Sequence, residues 1–251
     1  MSMVSTALAG VFRSLRLYQG YEAPRYEMDD LYARFVKPGD LVFDIGAHVG
    51  DRVSSFRRLG ARVVAIEPQP LLFRALRLIH GRDEDVTLLE IAAAAQRSDG
   101  MLRINTSNPT VSTLSEAFIA NAEGRPGWEG QVWDGAQKVQ TVTIDDLIDA
   151  FEAPAFIKID VEGGEAETLA GLSSPVAALS FEVTTIAREV ALSCLDRIAA
   201  LGNYGFDIAL GESQRCTFGH WVTGAEMAAH LINLPHDANS GDVYAVRLDA
   251  A

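Results

Sequence analysis

Two stretches of the chain gather side chains able to do chemistry. In Phe156-Ile157-Lys158-Ile159-Asp160-Val161-Glu162-Gly163-Gly164-Glu165 an apolar run is interrupted by charge at every second position. A strand alternates its side chains, so Lys158, Asp160 and Glu162 share one side and Ile157, Ile159 and Val161 the other. Charges buried in the middle of a sheet must pair, reach water or face a site. The plain alternative is a structural Lys158–Asp160 pair, with Glu162 and Glu165 as favourable charges at a helix N-terminus.

The second stretch is Val42-Phe43-Asp44-Ile45-Gly46-Ala47-His48-Val49-Gly50. An apolar strand, a glycine turn and a helix in that order mark the ligand-binding edge of an open α/β sheet. Gly46 and Gly50, lacking Cβ atoms, would let the backbone pass close beneath a bound molecule. Glu67 ends the next strand, where a carboxylate can accept both hydroxyls of a ribose. The dinucleotide fingerprint G-x-G-x-x-G, begun at Gly46, fails at His48 and Asp51. A carboxylate at Asp44 would repel a pyrophosphate on the following helix but would suit the cationic amino-acid end of S-adenosylmethionine. A tight structural turn, with Asp44 capping the next helix, is the competing account. A nicotinamide-dependent oxidoreductase and a non-catalytic binding protein on the same fold are the alternative functions.

The elements that must position these groups alternate between strand and helix, which predicts a parallel α/β sheet. The periodicity predicts strands at Leu41–Ile45, Arg62–Ile66, Val86–Leu89, Met101–Asn105, Phe156–Asp160, Ala178–Val183, Phe206–Leu210 and Val243–Leu248. Helices are predicted at Asp29–Val36, Asp51–Leu59, Pro70–His80, Glu165–Leu169 and Glu189–Leu201, with capping boxes at Thr143/Asp146 and Thr223/Glu226. Ser98-Asp99-Gly100 reads as a turn, and Asn121–Gln137 as a long surface excursion whose Trp128 and Trp133 either stack on an acceptor or pin the loop. At the start, Val4, Leu8, Val11, Phe12 and Leu15 recur at helical spacing with Arg13 and Arg16 off the stripe, the pattern of a cap helix. With only those two cations it reads less well as a membrane-surface helix. Residues 1–37 are therefore expected to pack as a helical segment on a single domain spanning 38–251.

Composition narrows the partners. The 251 residues carry 21 Lys plus Arg against 34 Asp plus Glu, a formal charge of −13. A phosphate-backbone binder needs a basic footprint, so nucleic acid is not expected. No apolar run is long enough to span a bilayer. Two cysteines, Cys194 and Cys216, fit a reducing, cytoplasmic setting, and a homo-oligomer is compatible with the composition. His220, His230 and His236 lack metal-ligand spacing, and no metal is expected, although Asp160 and Glu182 at adjacent strand ends could hold Mg²⁺.

The sequence resembles the FkbM-type methyltransferases. VFDIGAHVG (42–50), VVAIEP (63–68), VQTVTIDDL (139–147) and IKIDVEGGEAETLAGL (157–172) carry the likeness, with weaker echoes in AAAAQRSDG (92–100) and SFEV (180–183). The resemblance implies a Rossmann-like class I methyltransferase: a seven-stranded, mostly parallel sheet with helices on both faces and the last strand antiparallel. It further implies S-adenosylmethionine as donor and a hydroxyl of a sugar, glycolipid or polyketide-type natural product as acceptor. Asp44, Gly46, Ala47, His48, Gly50, Glu67, Pro68 and Ala92 would then bind the donor. Asp160 would be the leading base with Glu162 second, oriented by Lys158. His48, standing where the family usually has Asn, is an alternative base. Glu165, Glu182 and Trp128 would meet the acceptor.

Overall fold

The computed structural model describes residues 3–20 and 25–248. Along them run α1 (Met3–Tyr18), α2 (Arg25–Tyr32), β1 (Leu41–Ile45), α3 (Asp51–Arg58), β2 (Arg62–Ile66), α4 (Pro70–His80), β3 (Val86–Leu89), β4 (Ala92–Ala93) and β5 (Ser98–Ile104). Then follow α5 (Glu116–Ala122), β6 (Gly135–Val142), α6 (Ile144–Phe151), β7 (Phe156–Ile159), α7 (Glu165–Ala170), β8 (Ala178–Thr184), α8 (Arg188–Leu201), β9 (Tyr204–Leu210), α9 (Gly224–Asn233) and β10 (Ser240–Arg247). The main sheet has seven strands in the order β3-β2-β1-β7-β8-β10-β9. Only β10 runs antiparallel to its neighbours, β8 and β9. The chain winds outward from β1 to β3 and then restarts at β7 on the other flank of β1. That reversal opens a crevice at the C-terminal ends of β1 and β7.

Local chemistry explains the element ends. Pro70 opens α4, where its missing N–H costs nothing. Thr143 and Asp146 cap α6 reciprocally, and Thr223 and Glu226 do the same for α9, so four otherwise orphaned N–H groups find acceptors. One face of the sheet packs Phe43, Ile45, Ile157, Ile159, Leu179 and Phe181 against α6 to α9. The other packs Val42, Val63, Ala65, Phe156 and Tyr244 against α2 to α4, through Tyr32, Phe56, Phe73 and Leu76.

The structure departs from the sequence reading in three places. Ser98-Asp99-Gly100 is no turn: it starts β5, with Ser98 paired to Thr141 in a second sheet of order β4-β6-β5. The strand at Gly135–Val142 and the helix at Glu116–Ala122 fall in or beside the presumed surface excursion. Exposed alternate residues in β6 masked it, because Gln137, Gln140 and Lys138 give no clean apolar period. In α1 the inward side is Val11, Ser14, Leu15 and Tyr18, whereas Leu8 and Phe12, expected on the packed stripe, stand exposed. The side chain of Val4 lies outside the described residues.

Candidate active site

A cavity of about 520 Å³ fills the crevice, a size usual for a small-molecule site. The glycine loop forms its floor. Gly46 adopts φ 87°, and a Cβ there would lie 1.7 Å from the Asp160 carbonyl oxygen. Close passage of two chain segments, rather than of a ligand, is what forbids a side chain. Gly50 stands outside the cavity: with φ 81° it presses on Leu76 and His80 of α4. Ala47, His48, Pro68 and Ala92 line the wall.

Glu67 is a fixed point of the cavity wall. One carboxylate oxygen accepts the His48 backbone N–H at 2.9 Å and the other that of Gln69 at 2.8 Å. Burial pushes this carboxyl up to about 8, against the pull of those two N–H groups. His48 has φ 51°, its ring meets Tyr18 edge-on at 5.2 Å, and its Nε2 is buried without a hydrogen-bond partner. Burial holds it down to about 4, so the imidazole is neutral at physiological pH rather than poised to titrate there.

Strands β7 and β8 supply the opposite wall. Lys158, 2% exposed, donates to Asp160 Oδ2 at 2.7 Å. Burial alone would raise the Asp160 carboxyl; the ammonium beside it overrides that and keeps the group below the ordinary carboxylate range. Its side chain is 32% exposed, open toward the cavity. Glu162 and Glu182 are pushed well above the usual range, first by burial and then by neighbouring carboxylates. Asp160, Glu162 and Glu182 each offer an oxygen within 4.8 Å of the others, with Lys158 already furnishing a cation beside them.

Two further sequence-predicted residues, Asp44 and Glu165, take other places. Asp44 is fully buried and absent from the cavity wall, with neither oxygen hydrogen-bonded, and burial raises it to about 7. It sits one residue below the strand tip, so alternation turns it inward beside Lys158 instead of toward the crevice. Glu165 lies beneath the loop after β7, accepting from the Val161 and Gly163 N–H groups, and burial raises it to about 7. It therefore orders the loop that carries Glu162. Trp128 lines the cavity, but it is also pinned edge-on to Phe118 at 5.2 Å, so it both stiffens the loop and forms wall. Trp133 is tied down through Nε1 to the Val111 carbonyl.

The sequence reading missed other wall residues. Asp51, next to the loop, faces the cavity at the start of α3 and is held by Arg52, which also reaches Glu212 at 2.9 Å. Its position was noted only as a failed glycine. Tyr18 arrives from α1, and no local pattern announces so distant a contact. After β5, Thr110, Ser112 and Thr113 also line the pocket.

Strand order and a crevice at its crossover define a Rossmann-like α/β fold with its ligand site at the carboxyl edge. Residues 44–208 match the profile of the methyltransferase FkbM domain, and the chain belongs to that family. It is 25% identical over 150 residues to hexuronic acid methyltransferase AglP of Haloferax volcanii, covering 59% of this chain and 56% of that protein. It is 27% identical over 197 residues to 31-O-demethyl-FK506 methyltransferase FkbM of Streptomyces tacrolimicus, covering 69% and 75%. The match thus spans little more than half the length of the first of these relatives. Among solved structures, precorrin-6y C5,15-methyltransferase of Geobacter metallireducens aligns over 88% of this chain and 87% of its own at TM-score 0.45 and 13% identity. A TehB-like methyltransferase of Corynebacterium glutamicum covers 94% of each chain at TM-score 0.46 and 9% identity.

Proposed function

We propose that this FkbM-family protein is a cytoplasmic, S-adenosylmethionine-dependent O-methyltransferase acting on a hydroxyl of a small molecule or glycan. The observation that carries the reading is Asp160, kept ionised by a buried lysine at the open wall of the cavity. The wall suits a cationic donor: Asp51 and Asp160 line it, and a carboxylate at the start of α3 disfavours a phosphate there. Two relatives, named for methylation of a hexuronic acid and of a demethylated FK506, point to oxygenated acceptors.

When bound, S-adenosylmethionine supplies a methyl group already activated on a sulfonium. Gly46, Ala47 and the His48 backbone cradle the donor, and Pro68 and Ala92 flank it. Glu67, steadied by two N–H groups, accepts the ribose hydroxyls. Asp160 takes the proton from the acceptor hydroxyl as the oxygen attacks, an aid of about a hundredfold to ten-thousandfold. Lys158 holds that carboxylate in one rotamer. Glu162 and Glu182, protonated by their surroundings, can donate hydrogen bonds to further acceptor hydroxyls. His48, with its ring packed edge-on against Tyr18 and its Nε2 buried, is less accessible to an acceptor than Asp160, whose side chain opens on the cavity.

The test is methyl transfer from labelled donor into a panel of glycans and hydroxylated metabolites, alongside calorimetric titration of the donor. Donor binding with label appearing at acceptor oxygen is the expected result. A cavity that takes a reduced nicotinamide dinucleotide and not the methyl donor would end this reading.

A further inference from the structure

Helices α1 and α4 pack side by side through Val11, Leu72 and Ala75. Their outward surface is unlike the rest of the chain. Neither helix contains an Asp or Glu, whereas Arg13, Arg16, Arg74 and Arg77 are all exposed, in a chain of formal charge −13. Half of the large exposed apolar side chains among the described residues also stand on these two helices. Phe12 is 65% exposed, Leu17 63% and Leu78 88%, with Leu8 and Ile79 beside them in sequence. The sequence alone offered α1 two cations; packing against α4 brings the count on this side of the molecule to four. Past α4, Asp83 and Asp85 are engaged by Arg57 at 2.8 and 2.7 Å, and the exposed Glu84 between them is offset in the same loop by the exposed Arg82.

We propose that this face docks on an anionic lipid surface, with Phe12, Leu17 and Leu78 entering the headgroup layer and the arginines pairing with lipid phosphates. Apolar insertion and local cationic charge are the two components such binding requires, and neither suffices alone. The remaining charge of the protein is repelled by the same surface, which orients the contact. No helix among the described residues is long and apolar enough to cross a membrane, so the helices lie on the surface. A second copy of the chain is a poorer occupant, because a two-fold contact would set the arginines of one copy against those of the other. The proposal does not depend on the methyl-transfer reading, because Tyr18, which roofs the cavity, is on the inner side of α1.

Sedimentation of the whole protein with vesicles tests it. Binding is expected to phosphatidylglycerol–phosphatidylcholine vesicles, not to phosphatidylcholine alone, and to weaken as salt rises. The double variant Arg74→Glu/Arg77→Glu is expected to lose at least about twenty-five-fold in partition, roughly fivefold for each arginine. Phe12→Ser should lower partition without changing the thermal midpoint or donor affinity, which serve as fold controls. Absence of vesicle binding, equal binding to neutral vesicles, or a solution dimer that Phe12→Ser dissociates would each overturn the proposal.

Discussion

The two faces of the main sheet are built on opposite rules. The face toward α6 to α9 is apolar from edge to edge, with Ile45, Ile159, Phe181 and Val243 meeting helix side chains. On the face toward α2 to α4, strand register lines up a polar row: Asp44 beside Lys158, then Ser180, Tyr244 and Asp207. One step nearer the carboxyl edge, Glu182 pairs with Asp242, with Asp160 on the neighbouring strand. The inner row is sealed, and several of its atoms have no hydrogen-bond partner, among them both Asp44 oxygens, Ser180 Oγ and Tyr244 Oη. Of the outer row, Asp160 and Glu182 line the cavity, whereas Asp242 stays buried behind them. Apolar burial holds the first face together; on the second, depth along the strand decides whether a polar group serves chemistry or only costs stability.

Changes in the outer row are the largest test of that contrast. Asp160→Asn should cut kcat by about a hundredfold to ten-thousandfold, well beyond any loss of donor affinity, and should lower the thermal midpoint because it leaves the buried Lys158 ammonium unpaired. If turnover survives, with His48→Asn instead abolishing it, the base is the imidazole. Lys158→Met bridges the rows and should lower kcat by about ten- to a hundredfold near neutrality. Without the ammonium, burial raises the Asp160 carboxyl, so the acid limb of kcat/KM should move to higher pH and activity should recover as pH rises. An unshifted limb would show that Lys158 does not tune the carboxylate. Third in size, Glu67→Gln puts an amide N–H against one of two backbone N–H groups and should weaken donor binding about tenfold. Calorimetry reads that loss, and kcat at saturating donor should stay near the parent value.

What was legible in the sequence follows the same division. Short-range signals located the elements: Pro70, Thr143 and Thr223 marked helix starts, and alternation put Lys158 and Asp160 on one side, although β7 ends at Ile159 and Glu162 reaches the cavity from a turn at φ 57°, not from the strand. Glu67 could be read because it ends a strand next to the glycine loop. Depth was not readable. Asp44 and Asp160 both sit near strand ends beside Gly46, yet one falls below the sheet surface and the other opens to the crevice. That outcome depends on the register between β1 and β7. The β4-β6-β5 sheet escaped notice for a related reason: its pairings join residues some forty positions apart, and half-exposed strands leave little periodic trace. Tyr18 and the shared α1–α4 surface are products of tertiary packing alone.

The smallest effect on turnover is expected at Asp44, where stability rather than activity should respond. Its carboxyl moves from an ordinary 3.8 to about 7 because burial disfavours the anion. The folded chain therefore keeps a proton that the unfolded chain releases, and stability drains away as pH climbs between those two values. Above about 7 the loss is complete, and a shift of that size corresponds to about 4 kcal/mol at most. Glu67 and Glu165, raised to about 8 and about 7 by burial, act with the same sign, so the parent protein should unfold more easily at pH 8 than at pH 5. Asp44→Asn removes one titrating group from that sum. Its urea midpoint should exceed the parent's by much more at pH 8 than at pH 5, with donor affinity within about threefold of the parent, a change worth well under 1 kcal/mol. Equal midpoint differences at both pH values would mean that Asp44 is ionised in the folded chain. A collapse of donor affinity would return Asp44 to the binding site and break the distinction between the rows.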